Sequence, residues 1–194
     1  MDFKKLVKRK PLFSYITYIA LFALCIVLDQ LTKFWAVRDL MPIGSTVVIE
    51  KVLGLRYREN TGAAFGMLEG QRWLFISLSS VAVVAILIYL VVQRKSVPPL
   101  LGVAFAMIAG GGIGNQIDRI RSGYVVDFFE FLFVDFAIFN VADCFVTVGA
   151  ALVLLDLIFI DRDFLSDTPK KKAVAATASS EDTTDTPPTE TPYD

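Results

Sequence analysis

The sequence contains no histidine among its 194 residues. This absence excludes Ser-His-Asp and Cys-His catalysis and every zinc site that uses an imidazole ligand. Cysteine is also scarce. Cys25 and Cys144 form no CxxC motif and no disulfide framework, and we interpret both as buried free thiols in apolar surroundings. Neither sign of charge dominates, since the formal net charge is −1, and this argues against a nucleic-acid partner.

Apolar sequence, in contrast, is in excess and is arranged in blocks. Hydrophobic residues make up 55% of the chain, and blocks of about 20 apolar residues are typical of membrane-spanning helices. The sequence therefore predicts an all-α membrane protein with four spans. These are expected over about 11–35, 73–92, 97–119 and 141–160. The third contains a GxxxG pair, Gly110 and Gly114, which permits a neighbouring helix to approach closely.

Basic residues set the expected orientation of the spans. Five of them precede the first span: Lys4, Lys5, Lys8, Arg9 and Lys10. Because cytoplasmic flanks are enriched in lysine and arginine, they place the N-terminus in the cytoplasm, and Arg94 and Lys95 in the second turn agree. The first span lacks a cleavage site and is too long for a signal peptide, so we interpret it as a retained anchor. We expect a membrane domain over 1–165 and a disordered cytoplasmic tail over 166–194.

Two segments between the spans favour extended structure. Leu53, Leu55 and Tyr57 alternate with glycine and arginine, and this period of two is typical of a strand. The run 123–139 is rich in valine and phenylalanine and also indicates extended chain. We expect a small β-sheet on the outer face of the helical bundle.

Charged and amide side chains cluster towards one end of the predicted bundle. Asp29 and Lys33 lie four residues apart on one helical face, which favours an ion pair; Asp29 could equally position a substrate head group. Near the end of the third span, Asn115 and Arg119 share a face and Asp118 lies close to it. Buried polar groups of this kind persist where they pair or do chemistry, so these three residues favour a polar network.

Two further aspartates flank the start of the fourth span. Asp127 stands alone in an apolar stretch, which indicates either a turn residue or a carboxyl group with a raised pKa. Asn140 and Asp143 match a capping box, which predicts that Asn140 is the N-cap and that Asp143 lies in the first helical turn. These two residues either only cap the helix or also contribute to a reactive site.

If Asp127 and Asp143 face each other, both cannot easily ionise together. The ionised carboxylate can then accept a proton from water, and the protonated one can donate a hydrogen bond to a scissile carbonyl oxygen. This is the chemistry of aspartic peptide hydrolysis, and it needs no histidine, metal or cofactor. The dipole of the fourth helix favours Asp143 as the ionised member. Spacing alone leaves open whether the two side chains meet.

Five short blocks, in this order, resemble the bacterial lipoprotein signal peptidases, or signal peptidase II, a family of aspartic membrane proteases. The blocks are DQLTK at 29–33, ENTGAAF at 59–65, GNQIDR at 114–119, VVDF at 125–128 and FNVAD at 139–143. The resemblance covers residues 26–155. It implies cleavage of prolipoproteins just before a cysteine that carries diacylglycerol.

The resemblance also implies roles for individual residues. Asp127 and Asp143 match the catalytic pair of the family. Further positions are implied in substrate binding or in support of the active site: Asn115, Arg119, Asn140, Asp29, Lys33, Asn60, Gly62, Ala63 and Asp118. The implied partners are a lipid-modified prolipoprotein and membrane lipid, with no metal and no cofactor. The implied setting is the bacterial cytoplasmic (inner) membrane. Four spans and a cytoplasmic N-terminus put both termini inside and the acids towards the outer face, and we expect a monomer because nothing in the sequence demands a partner subunit.

Two functions of other classes compete with this interpretation. In a small membrane transporter or channel, the buried polar residues would form an ion path. The acids gather at one end of the bundle, however, and the sequence has no inverted repeat of the kind that many transporters show. In a structural membrane subunit, the same residues would only lock the helices together.

Overall fold

The computed structural model describes residues 11–62, 70–93 and 97–160. The basic N-terminal cluster, Ala63, the two cations of the second turn and the predicted tail lie outside the described residues. The described residues up to Asp156 form one compact unit, and a second unit begins at Leu157. Its described part, residues 157–160, belongs to a short π-helical segment.

Four long helices dominate the described chain. They are α1 (Pro11–Trp35), α2 (Arg72–Val92), α3 (Pro99–Arg121) and α4 (Val141–Leu155). With the π-helical segments Ala36–Leu40 and Asp156–Ile160 that follow α1 and α4, each is long and apolar enough to cross a membrane. The four predicted spans are therefore confirmed.

The helix ends differ from the predicted ones at the end of the first span, the start of the second and both ends of the third. The second helix begins at Arg72 instead of residue 73, and the third ends at Arg121 instead of residue 119. The first span continues to Leu40 instead of ending near residue 35, because Ala36 and Leu40 are buried in a cluster with two strand residues. The third helix begins at Pro99 rather than at residue 97. Proline suits the first helical position because its missing N–H would have no partner there.

Helix α3 packs against each of the other three helices. Its glycines allow this close approach. A Cβ atom at Gly110 would lie only 2.7 Å from the Cβ of Cys25 on α1. The GxxxG prediction is therefore confirmed, since the pair lies where α1 and α3 touch.

A three-stranded antiparallel sheet, of order β1-β2-β3, lies at one end of the bundle. The strands are β1 (Ser45–Ile49), β2 (Leu53–Asn60) and β3 (Val125–Phe131). The two predicted extended segments are confirmed in part, because β3 occupies only the first half of the run 123–139. Strand β1 was not predicted. All five of its residues are exposed. The strand has no buried face, and its sequence therefore lacks the alternation of apolar and polar residues that marks a half-buried strand.

The sheet is fixed to the bundle by a small apolar cluster. Val126 and Phe128 of β3 are buried with Ala36 and Leu40. Successive side chains of a strand point to opposite faces. Asp127, which lies between these two residues, therefore points away from the apolar cluster.

Candidate active site

Asp127 is held inside strand β3 by two amides. Its side chain is 1% exposed. Asn60 Nδ2 donates to its Oδ2 at 2.8 Å, and Asn140 Nδ2 donates to its Oδ1 at 2.6 Å. Asn60 reaches this position because the end of β2 pairs with the start of β3. The interpretation of Asp127 as a turn residue is therefore wrong.

The surroundings of Asp127 raise the pKa of its carboxyl group. Burial raises the pKa of the Asp127 carboxyl to about 6, and the negative charge of Asp143 acts in the same direction. The hydrogen bonds from Asn60 and Asn140 act in the opposite direction because they stabilise the carboxylate. The interpretation of Asp127 as a carboxyl group with a raised pKa thus agrees with the structure.

Asp143 and Asn140 form the predicted capping box at the start of α4. Asn140 Oδ1 accepts from the Asp143 N–H at 3.0 Å, and Asp143 Oδ2 accepts from the Asn140 N–H at 3.1 Å. Asp143 Oδ1 remains available and accepts from Asn115 Nδ2 at 2.8 Å. The cap therefore holds Asp143 in the first turn, where the positive end of the helix dipole favours a negative charge.

Amide groups join the two carboxyl groups. Asn140 Nδ2 donates to Asp127 and also to Asn115 Oδ1, the latter at 3.1 Å. Asp127 and Asp143 line one cavity of about 630 Å³. The other lining residues are Asn60, Asn115, Arg119, Val125, Phe131, Phe136, Ala137, Ile138, Phe139, Cys144, Thr147 and Val148. Two acids and several amides therefore meet on one wall, while the remaining walls are largely apolar.

A buried charge cluster lies behind this cavity. Lys33 Nζ is 2.9 Å from Asp29 Oδ2 and 2.9 Å from Asp118 Oδ2. The predicted ion pair between Asp29 and Lys33 is present. Asp29 is 0% exposed, and its Oδ1 accepts from the Ala142 N–H at 3.0 Å, so it also binds the start of α4. This burial disagrees with a role for Asp29 at a substrate head group.

Arg119 lines the same cavity, one helical turn beyond Asn115 on α3. Its Nη2 donates to the Gly62 carbonyl at 3.3 Å, and its guanidinium lies 5.0 Å from the centroid of the Phe75 ring. Its charge acts on both Asp127 and Asp143. Arg119 Nη1 also donates to the Asn115 carbonyl at 3.5 Å, so Arg119 is linked both to Asn115 and to the two acids. Asp118 joins this network through Lys33.

Gly62 orients one of the amides that bind Asp127. Its N–H donates to Asn60 Oδ1 at 3.0 Å, which turns the Asn60 amide nitrogen towards Asp127. The neighbouring Ala63 lies outside the described residues. Within the described residues, no group of three His, Cys, Asp or Glu side chains is placed to hold a metal ion.

Sequence reasoning missed one polar residue and misjudged another. Gln30 Nε2 donates to Asp29 Oδ2, to Asp118 Oδ1 and to the Gly114 carbonyl, at 3.1–3.2 Å. Its position beside Asp29 was the available signal. Cys144 was predicted to be buried like Cys25, but it is partly exposed because it follows Asp143 in the first turn and lines the cavity. The phenylalanines that line the cavity, Phe131, Phe136 and Phe139, could not be assigned to the site from the sequence, where they show only apolar character.

Comparisons with known proteins agree with this site. Residues 21–159 match the family described as Signal peptidase (SPase) II. The chain is 46% identical over 147 residues to the lipoprotein signal peptidase of Symbiobacterium thermophilum, which covers 74% of this chain and 95% of that protein. It is 48% identical over 141 residues to that of Caldanaerobacter subterraneus, with 73% and 95% covered.

A solved structure has the same fold. A bacterial membrane enzyme superimposes with a TM-score of 0.67 and 30% sequence identity, covering 78% of this chain and 92% of that one. A second bacterial membrane enzyme gives a TM-score of 0.65 and 32% identity. The family match covers well over half of the chain and includes every described site residue. This multi-pass membrane protein therefore belongs to the signal peptidase II family and is a peptidase.

Proposed function

We propose that the chain is an aspartic endopeptidase that removes signal peptides from diacylglyceryl-modified prolipoproteins, cutting just before the modified cysteine. The observation that carries the proposal is the convergence of Asp127 and Asp143 on one cavity, where Asn140 is hydrogen-bonded to both. The family assignment and the names of the relatives support the substrate class. They also favour this function over a transporter or a structural subunit.

The two acids have different tasks in the proposed reaction. Asp143, ionised at the start of α4, accepts a proton from water as the water oxygen adds to the scissile carbonyl carbon. Asp127 is the protonated partner, a form that its pKa of about 6 makes more populated than for an ordinary aspartate, and it donates a hydrogen bond to the carbonyl oxygen. When the C–N bond breaks, a proton from the acid pair passes to the leaving amine. Each acid thereby returns to its starting state.

The remaining residues hold this pair in place. Asn115 and Asn140 orient the acids, Asn60 and Gly62 position Asp127, and Arg119 stabilises the network by its charge. Asp29, Lys33 and Asp118 support the site from behind: their cluster joins α1 and α3, and Asp29 also binds the start of α4. We extend the support role to Ala63 by its place in the family motif alone.

The substrate and its setting follow from the same proposal. The signal peptide and the lipid of the modified cysteine would lie along apolar walls such as that of Phe131, Phe136 and Phe139. We further propose a monomer in the bacterial inner membrane, with both termini cytoplasmic and the sheet end outside. The membrane peptidase domain would cover residues 1–165, and residues 166–194, which lie outside the described residues, would be a cytoplasmic tail.

The test is cleavage of a diacylglyceryl-modified peptide by the purified protein in detergent. Asp127→Asn and Asp143→Asn should each lower kcat by at least about 10²- to 10⁴-fold, because each removes a group that moves a proton. Asp39→Asn is the matched control, since Asp39 is exposed and paired with Arg38. If either active-site variant cleaves at nearly the wild-type rate, the two-aspartate mechanism is wrong. No cleavage by the wild-type protein would favour a transporter or a structural subunit.

A further inference from the structure

The ammonium group of Lys33 has an acceptor for each of its three protons. Asp29 Oδ2 and Asp118 Oδ2 both lie 2.9 Å from Nζ, and Asn115 Oδ1 lies 2.8 Å from it. An ammonium group has three donors and no acceptor. Lys33 is 3% exposed, so its hydrogen-bonding capacity is filled without solvent or substrate. Its third partner belongs to the candidate active site.

This contact determines which way the Asn115 amide points. A side-chain amide carries an oxygen on one side and an NH₂ group on the other. Lys33 can only donate, so the amide must present its oxygen to Lys33 and its NH₂ group to Asp143, where Asn115 Nδ2 lies 2.8 Å from Oδ1. The reversed amide would place NH₂ against an ammonium group and oxygen against a carboxylate. Two hydrogen bonds would be replaced by two repulsive contacts.

The same orientation serves the second amide of the site. Asn140 Oδ1 is occupied by the cap of α4, so Asn140 approaches Asn115 with its NH₂ group and needs an oxygen there. Asn115 Oδ1 is that oxygen because Lys33 has turned it inwards. From this position Asn140 Nδ2 also donates to Asp127 Oδ1. Asp143 and Asp127 thus each accept a hydrogen bond from an amide NH₂ group, and the contact of Lys33 with Asn115 is consistent with the orientation of both amides.

We propose that Lys33 is a positioning residue for the peptidase reaction, which acts by fixing the Asn115 amide so that it donates to Asp143. This inference rests on the proposed aspartic mechanism. Asp29 and Asp118 hold Lys33 Nζ in place through the two ion pairs, and Gln30 donates to both carboxylates. The competing view is that Lys33 only joins α1 to α3 as a buried ion pair, with no specific effect on the acids.

A double-mutant cycle separates the two views. Lys33→Met should lower kcat about 10- to 100-fold, because a displaced acid no longer meets the reacting atoms correctly. KM should change by less than about twofold, since Lys33 does not reach the cavity. Asn115→Ala should have a similar effect. In the combined variant, kcat should lie within about twofold of the kcat of the less active single variant, because Lys33 acts through Asn115.

Arg38→Met is the matched control, because Arg38 lies five residues further along the chain and forms an exposed pair with Asp39. Its kcat and KM should stay within about twofold of wild type. The positioning role is overturned if the losses of Lys33→Met and Asn115→Ala multiply in the combined variant. It is equally overturned if Lys33→Met raises KM and leaves kcat unchanged.

Removing Lys33 leaves two buried carboxylates without their cation, which can prevent folding. Lys33→Met combined with Asp118→Asn removes one charge of each sign and addresses this. Its kcat should remain low in folded protein, and a return to the wild-type kcat would contradict the proposal. Asp127→Asn and Asp143→Asn distinguish a failure of the proposed function from a failure of the role of Lys33. If those variants stay active, the proposed function fails; if they are inactive while the cycle is multiplicative, only the role of Lys33 fails.

Discussion

Two cavities of similar volume lie at opposite ends of the helical bundle and differ in their chemistry. The cavity at the sheet end measures about 630 Å³ and brings Asp127 and Asp143 together. The groove at the other end measures about 550 Å³ and is lined by apolar and aromatic side chains, among them Tyr15, Phe22 and Phe105. Volume therefore does not distinguish a reactive site from an apolar groove. The two are distinguished by polar groups that converge on the cavity and are hydrogen-bonded to one another.

The two ends also differ in how buried polar atoms are satisfied. At the sheet end, both oxygens of Asp127 and both oxygens of Asp143 accept hydrogen bonds. In the apolar groove, the Tyr15 hydroxyl is buried without a hydrogen-bond partner among the described residues. A buried polar network specifies one arrangement only when its members are paired. The sheet end meets this condition, and changes there should have much larger effects.

The largest effect within the amide network is expected at Asn140. Asn140→Ser keeps an oxygen that can cap α4 but removes the NH₂ group that donates to Asp127 and Asn115. We expect kcat to fall about 10²- to 10³-fold, in line with loss of a donor from a preorganised site. Thermal unfolding should show a small change in stability. A large loss of stability with little loss of kcat would mean that Asn140 is only a cap.

The pH dependence tests whether Asp127 is the protonated acid. Its pKa is raised to about 6, so the protonated fraction increases as the pH falls from 8 to 6. If the reaction needs this form, kcat/KM should rise about 50-fold over that interval. The rate should be measured at constant ionic strength with the diacylglyceryl-modified peptide. A rate that is flat or increases towards pH 8 would contradict the assignment.

A smaller effect is expected from substitution of Gly114, which leaves room for the Asp29 carboxylate. A Cβ atom at Gly114 would collide with the Asp29 carboxylate, whereas one at Gly112 would lie 3.7 Å from Val83, an ordinary contact. Gly114→Ala should therefore lower kcat about tenfold by displacing Asp29 and Lys33. Gly112→Ala is the matched control on the same helix, and cleavage by the two variants should be compared directly. Equal rates would show that the cluster does not support the site.

The smallest effect is expected in the apolar groove. Tyr15→Phe removes a hydroxyl that is buried without a hydrogen-bond partner in the described part of the chain. The thermal midpoint should stay the same or rise slightly, because an unpaired buried hydroxyl destabilises the fold. Its kcat/KM should stay within about twofold of wild type. A marked loss of activity would give the groove a role and remove the contrast between the two ends.

Local features of the site and fold could be predicted from the sequence. The four helices follow from apolar runs, and the capping box of Asn140 and Asp143 depends on residues three apart. The ion pair between Asp29 and Lys33 has a helical spacing of four. In each case the interacting residues are close in the chain, so periodicity alone brings them together.

Features that depend on distant segments could not be predicted in this way. Strand β1 is exposed along its length and carries no periodic pattern. The direction of Asp127 follows from its pairing in the sheet and from the burial of Val126 and Phe128. The third partner of Lys33 lies 82 positions away in the chain, on another helix. Spacing does not determine such contacts, because they arise only when α1, α3 and the sheet pack together.

The central claim is that Asp127 and Asp143 activate water directly rather than through a covalent acyl-enzyme. The most direct test is a single turnover of the diacylglyceryl-modified peptide in H₂¹⁸O with enzyme in excess, followed by mass spectrometry. The proposed reaction places one ¹⁸O atom in the new carboxyl group of the released signal peptide and none in the protein. Label in the carboxyl group of Asp127 or Asp143 would indicate a covalent intermediate and contradict the proposed mechanism.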